Sequence, residues 1–303
     1  MANRHLTSHL HPIDSAAWQE NLRKAQQFEM AEVFYEQFPA YEGAKNICIR
    51  LQAAGFVAWL AGGCVRDLFL QRPPRDFDIV TNALPEDVES LFSRTEGVGK
   101  SFGVILVIEE GEVYDVATFR SDGDYKDGRR PESVEWSTAD EDARRRDFTL
   151  NALFYDPFVQ KVFDFVGGVA DLKAQRIVVV GDPVARFSED YLRILRALRF
   201  RAELGFQLDD QLITAIAKVR EGLQQVSAER VKEEVFKLLQ GPYAGPAMNL
   251  LLQLRLSEWS LTPALALHQQ VPSEQWEFWE KNDCKSVHKL FGLWLLWLKD
   301  LAL

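Results

Sequence analysis

Cysteine is scarce in this sequence, and long apolar runs are missing. The three cysteines among 303 residues, Cys48, Cys64 and Cys284, form no CxxC pair and are odd in number. This argues against a disulfide framework and a zinc knuckle and suits a reducing, cytoplasmic compartment. No apolar run approaches the roughly 20 residues that a membrane helix needs. The longest, residues 290–298, is broken by Lys299 and Asp300, so no membrane association is expected. The opening MANRHLTSHLHPID lacks the apolar stretch of a signal peptide. The five histidines are scattered, with no triad or ligand spacing. Positive charge is in deficit too: 35 lysines and arginines against 45 acidic residues give a net charge of −10. Such a balance disfavours a protein that coats nucleic acid, but a local basic groove depends on where the charges sit.

The 303 residues are enough for two or three units with real cores, and the apolar content of 47% is an ordinary globular value. Residues 1–45 read as a polar, helix-leaning extension. An α/β region follows: a short strand at 56–60, Gly62-Gly63, a helix opening at Val65, and a strand at 77–81. A helix then begins at Pro85, and two β-rich runs at 104–108 and 113–119 flank a Gly111 turn. Residues 121–131, rich in Gly, Asp and Arg, read as a mobile loop. Residues 140–152 have helical character, and 162–165 and 177–180 are short apolar runs. From Phe187 the pattern becomes all-helical. Tyr191, Ile194, Leu195, Leu198 and Ala202 make an amphipathic stripe, and helical patterns continue at 208–219, 228–239 and 243–254. The expected class is α+β: a mixed sheet with helices, then an all-helical part. The segments are 1–45, a head at 46–165, a neck at 166–240 and a body with a short tail at 241–303. The apolar run at 290–298 is expected to pack on the body or on a second subunit, giving a homodimer.

Three blocks carry chemistry. In GGCVRD a strand ends in Gly62-Gly63 and turns into a helix, which lets backbone amides approach a phosphate. In DFD, Asp76 and Asp78 are i and i+2 on a strand and point to one side. Side by side they repel unless a cation sits between them, and Mg²⁺ takes carboxylate oxygens together with substrate phosphates. Asp115, in the following hairpin, adds a third carboxylate from a neighbouring strand. The second block is RRRDFTLNA. Arg144, Arg145 and Arg146 cannot share one helix face, so Arg145 or Arg146 reaches a triphosphate and the others stay in solvent. The third is EDYLRILRALR, where Asp190, Arg193, Arg196 and Arg199 recur every third residue. They spiral across the helix opposite the apolar stripe, either as a ladder facing a groove or as an ion-paired surface with Glu189 and Arg193 at i, i+4.

In the order GGCVRD…DFD, RRRDFTLNA, SEDYLRILRALRF, these blocks resemble class II tRNA nucleotidyltransferases and bacterial poly(A) polymerases, a branch of the polymerase-beta-like superfamily. The likeness covers about residues 55–240. It takes in FRSDGDYKDGRRPESVEW, similar to the family's flexible loop, and FVGGVADLKAQRIVVVGDP, similar to its link into the neck. The resemblance implies a polymerase-beta-like head, then a helical neck, body and tail. It implies that Gly62, Gly63, Arg66 and Arg146 contact the nucleotide and that Asp76 and Asp78 hold Mg²⁺, with Asp115 beside them. Asp190, Arg193, Arg196 and Arg199 would form the nucleotide pocket, and Asp147 would be structural. A carboxylate beside a guanidinium, Asp190 with Arg193, matches the amino donor and ring-nitrogen acceptor that cytosine and adenine share. The implied activity is template-independent addition of CCA, or part of it, to a tRNA 3′ end from CTP and ATP. An A-adding enzyme or a poly(A) polymerase shares these motifs. Lys100 as the sole basic residue before Phe102, and the lack of a long basic C-terminus, favour the tRNA enzyme. A binding module with a decayed head, or an enzyme acting on small molecules or proteins, belongs to a different class of reading. The paired aspartates oppose the first, and the residue 190–199 ladder opposes the second.

Overall fold

The computed structural model describes residues 16–30, 32–122, 134–256 and 259. They form two compact units: residues 16–122 with 134–172, and residues 173 onward. The run at 290–298 and most of the 121–131 loop lie outside the described residues.

The first unit is built on one mixed sheet. In chain order its elements are α1 (Ala16–Arg23), β1 (Gln26–Glu29), α2 (Pro39–Ala53), β2 (Ala58–Ala61), α3 (Gly63–Leu70), β3 (Asp78–Thr81), α4 (Pro85–Leu91), β4 (Thr95–Gly99), β5 (Val104–Glu109) and β6 (Glu112–Thr118). There follow β7 (Arg120–Asp122), β8 (Val134–Trp136), α5 (Ala139–Arg145), β9 (Leu153–Asp156), β10 (Lys161–Asp164) and α6 (Gly168–Lys173). Eight strands align in the order β1-β10-β9-β2-β3-β6-β5-β4. Only β3 and β6 run parallel. The 7-residue helix α4 starts with Pro85 in its first turn, and Asp87 reaches back to the Leu84 N–H, a capping arrangement that satisfies an orphan donor. Strand β2 is buried at every position because the sheet is covered on both faces. On one face Trp59 stacks on Phe163 at 4.6 Å, with Trp18, Phe119 and Phe154 around it. A second cluster joins Tyr35, Tyr41, Phe77 and Tyr155, and there the Tyr35 hydroxyl donates to the Cys64 carbonyl at 2.7 Å.

Three expectations change here. Residues 16–45 are not a separate extension: β1 adds a strand to the sheet edge and Tyr35 fills the core. The unit extends to residue 172, past the expected end of the head at 165. Asp164 explains why. Buried at that boundary, it accepts four backbone N–H groups, from Val166, Gly167, Gly168 and Val169, and so ties α6 to the sheet. The third concerns residues 140–152, which are not one helix. Thr138 and Glu141 cap the start of α5, which stops at Arg145, and a single 3₁₀ turn follows at Thr149–Asn151.

The second unit is helical. It contains β11 (Arg176–Ile177), α7 (Pro183–Glu189), α8 (Leu192–Leu204), β12 (Gln207–Leu208), α9 (Asp210–Val219), α10 (Ala228–Leu239) and α11 (Ala244–Gln253). Helix α8 is its axis, packed against α7, α10 and α11. It ends at Gly205, whose φ of +76° is left-handed. A Cβ at Gly241 would collide with the Ala202 carbonyl, so a glycine is what lets the chain cross α8 this closely.

Candidate active site

Strand β2 enters α3 through Gly62, at φ +74° and ψ −128°. A Cβ there would stand 3.4 Å from Arg146 Nη1 and 3.8 Å from Asp78 Oδ2. The bare backbone at Gly62 therefore faces a guanidinium and a carboxylate across one small space. A Cβ at Gly63 would lie 3.8 Å from Arg66 Nη2. No side chain caps the first turn of α3, so its amide donors are available to an anion.

The carboxylates gather at the end of β3. Asp76 precedes the strand and Asp78 opens it, and the sequence exposed Asp76, buried Phe77, half-buried Asp78 preserves the alternation of extended chain. The parallel register sets Ile79 beside Val116, which brings Asp115 alongside Asp78. Burial pushes the Asp78 carboxyl up to about 6, Asp76 and Asp115 push the same way, and Arg146 partly offsets them. Asp115 is also raised, by burial and by Asp76. Repulsion of this kind is what a divalent cation relieves. No three His, Cys, Asp or Glu side chains form a ready-made metal cage among the described residues. Two adjacent carboxylates with a third nearby nonetheless fit a hard divalent ion that keeps waters and phosphate oxygens as its other ligands.

The arginines are held from behind. Arg66 is 5% exposed, with Nε and Nη2 on the two Asp67 oxygens at 2.9 and 3.1 Å and Nη1 on Asn151 Oδ1 at 3.1 Å. Arg146 caps the end of α5. It donates to Asp142 Oδ2 at 3.1 Å and to the Asn151 carbonyl at 3.2 Å, and it lies over the Phe154 ring. Arg145, expected either on a triphosphate or in solvent, takes the other Asp142 oxygen at 2.9 and 2.7 Å. Burial alone would raise the Asp142 carboxyl, but Arg145 and Arg146 hold it below its ordinary value. Asp147 caps the Phe148 N–H at 2.9 Å. The Cys64 thiol is pushed up by burial and by Asp78, Asp76 and Asp67, which leaves it inert.

In the helical unit the expected pairing is corrected. Arg193 does not sit on Asp190. It is 7% exposed and binds Glu189 Oε2 at 2.6 Å and the Arg186 carbonyl at 2.7 Å. Asp190 accepts the Leu192 N–H at 3.0 Å through one oxygen and Arg230 Nη2 at 2.7 Å through the other. Arg199 Nε lies 2.9 Å from Glu234, and Arg196 3.8 Å. The ladder is thus no open face: α10 lies against α8 and supplies Arg230 and Glu234. Asp67, Asp142, Asn151, Arg230 and Glu234 were not foreseen as site residues. The i+3 and i+4 spacing from Asp142 to Arg145 and Arg146 could have revealed one of them, whereas nothing local marks Arg230, forty residues from its partner.

Comparison with known proteins shows the family. The poly A polymerase head domain matches residues 58–178, and a domain described as a probable RNA and SrmB-binding site of polymerase A matches residues 205–267. The CCA-adding enzyme of Geobacillus stearothermophilus is 43% identical over 229 residues, covering 75% of this chain and 56% of the relative. That of Bacillus subtilis is 47% identical over 206 residues, covering 68% and 52%. A crystal structure of the Bacillus stearothermophilus CCA-adding enzyme in complex with CTP superposes with a TM-score of 0.69 at 38% identity, over 75% of this chain and 56% of that one. The chain spans little more than half the length of these relatives.

Proposed function

Because the chain belongs to the nucleotidyltransferase family that comprises class II tRNA nucleotidyltransferases and bacterial poly(A) polymerases, we propose that it adds CCA, or part of it, to tRNA 3′ ends from CTP and ATP, in the cytoplasm. The observation that carries this reading is the convergence of Asp78, Arg146 and the bare Gly62 turn on one space. No helix among the described residues is long and apolar enough to cross a membrane.

In this reading Asp76 and Asp78 hold Mg²⁺, which supplies charge neutralisation on the transferring phosphoryl group. The chain's own residues do the rest. The α3 amides at Gly63, with Arg66 and Arg146, hold the triphosphate. The RNA 3′-oxygen bonds to the α-phosphorus, the bond to the bridging oxygen breaks, and pyrophosphate leaves with that electron pair. Asp115 accepts the hydroxyl proton. In the helical unit Asp190 accepts a hydrogen bond from the exocyclic amino group of C or A, and Arg193, Arg196 and Arg199 are nucleotide-binding residues of the same unit. Because Arg193 and Asp190 already hold other partners, base binding exchanges those ion pairs for contacts to the nucleotide.

The test is incorporation onto tRNA lacking one, two or three terminal residues, with each nucleotide in turn. CTP then ATP, three additions and a stop, establishes CCA addition. ATP alone onto a tRNA ending in CC makes it A-adding, and an unbounded A ladder on any RNA makes it a poly(A) polymerase. No incorporation with divalent cation present ends the proposal.

A further inference from the structure

Asp142 is the most deeply buried ionised group near the candidate site: its side chain is 1% exposed. Its Oδ2 receives Arg146 Nε at 3.1 Å, and its Oδ1 receives Arg145 twice and the backbone N–H of Arg120 at 3.3 Å. Arg120 opens β7, and the β7/β8 register sets it opposite Trp136. Trp136 is 45% exposed and rests against Gly103, where a Cβ would lie 2.6 Å from its ring. One carboxylate thus touches both the arginine beside Asp78 and the stem of the β7–β8 hairpin.

We propose that Asp142 is a positioning residue that aims Arg146 at the nucleotide and links the β7–β8 stem to nucleotide occupancy. The inference rests on the reading of the Gly62–Asp78–Arg146 space as a nucleotide site. A guanidinium released by Asp142 loses its fixed plane, and a phosphate contact that depends on the bidentate fork loses geometry. When Arg146 turns toward a triphosphate, its pull on Oδ2 changes. The Arg120 N–H feels that change through Oδ1, and Trp136 reports it.

The experiment is a CTP titration by tryptophan fluorescence, without RNA and with Mg²⁺, in the full chain and in Trp136→Phe, Asp142→Asn and Arg146→Lys. The full chain should give a CTP-dependent signal whose Trp136 part vanishes in Trp136→Phe at unchanged affinity. Asp142→Asn should bind CTP about tenfold more weakly, as befits one lost charge-assisted contact, with no Trp136 response at saturation. Should Asp142→Asn fail to fold, Arg146→Lys decides. Lysine reaches a phosphate as a point charge but cannot bind Asp142 through a fork, so at saturating CTP the Trp136 response should be gone. Wild-type affinity in Asp142→Asn, or a full Trp136 response in either variant, overturns the proposal while leaving the nucleotide site standing. Absence of CTP binding in the wild-type chain brings down both.

Discussion

The two units treat charge in opposite ways. Around β3 the chain crowds Asp76, Asp78 and Asp115 together and lets burial and repulsion raise the Asp78 and Asp115 carboxyls. Around α8 the four candidate site charges each face an opposite charge: Arg193 faces Glu189, Arg196 and Arg199 share Glu234, and Asp190 faces Arg230. An uncompensated cluster costs stability and is kept where a cation or phosphate will complete it. A compensated network costs little and must trade partners to bind. The first arrangement suits chemistry on a charged group, the second discrimination between neutral base edges.

The largest break in that comparison comes from the carboxylates. Asp76→Ala or Asp78→Ala should lower transfer by about a hundredfold or more, the scale of removing a transition-state electrostatic contact, while circular dichroism stays native. Near-normal turnover with divalent cation present would end the metal-site reading.

Smaller effects come from crowding the backbone. Gly241→Ala would push a methyl into the Ala202 carbonyl beside α8, and Gly168→Ala into the Thr149 carbonyl beside the site turn. Each should cost about 1–3 kcal/mol, read as a lowered denaturant midpoint. Only Gly168→Ala should also disturb the turn bearing Asn151, and hence weaken CTP binding. Equal effects on binding from both would erase the distinction between the units.

The smallest effect is on pH dependence. A carboxyl at about 6 against an ordinary 3.8 binds its proton more tightly in the fold than in the unfolded chain. The cation-free protein should therefore lose about 1–2 kcal/mol, after allowance for screening, as pH rises from about 4 to about 6, with the deficit persisting above that window. Asp78→Asn should flatten the slope measured in chelator. An unchanged slope would mean the Asp78 carboxyl is not strained.

The head was legible in its motifs because strand alternation and glycine turns are local. Asp76 and Asp78 share a side for the reason their spacing gives, and Pro85 starts its helix where proline belongs. Strand β1 was not legible: QQFE carries no apolar alternation, and only pairing with β10 makes it a strand. Helix α5 looked longer than it is, because the 140–152 pattern runs on past Arg145 into a single 3₁₀ turn that the sequence does not set apart. In the helical unit the stripe that builds α8 was plain, and so was the i, i+4 pairing of Arg193 with Glu189, but the partners of Asp190, Arg196 and Arg199 were not. Glu234 and Arg230 arrive from α10 through tertiary packing, which no local spacing encodes.

The measurement that bears most directly on the division of labour between the units is single-nucleotide incorporation onto truncated tRNA by Asp190→Ala, with CTP, ATP, UTP and GTP in turn. The loss of one charge-assisted hydrogen bond, worth roughly 1.5–3 kcal/mol, should raise UTP and GTP incorporation roughly ten- to a hundredfold relative to ATP, with the rate on ATP falling far less than in Asp78→Ala. Wild-type preference for CTP and ATP in Asp190→Ala would contradict the account.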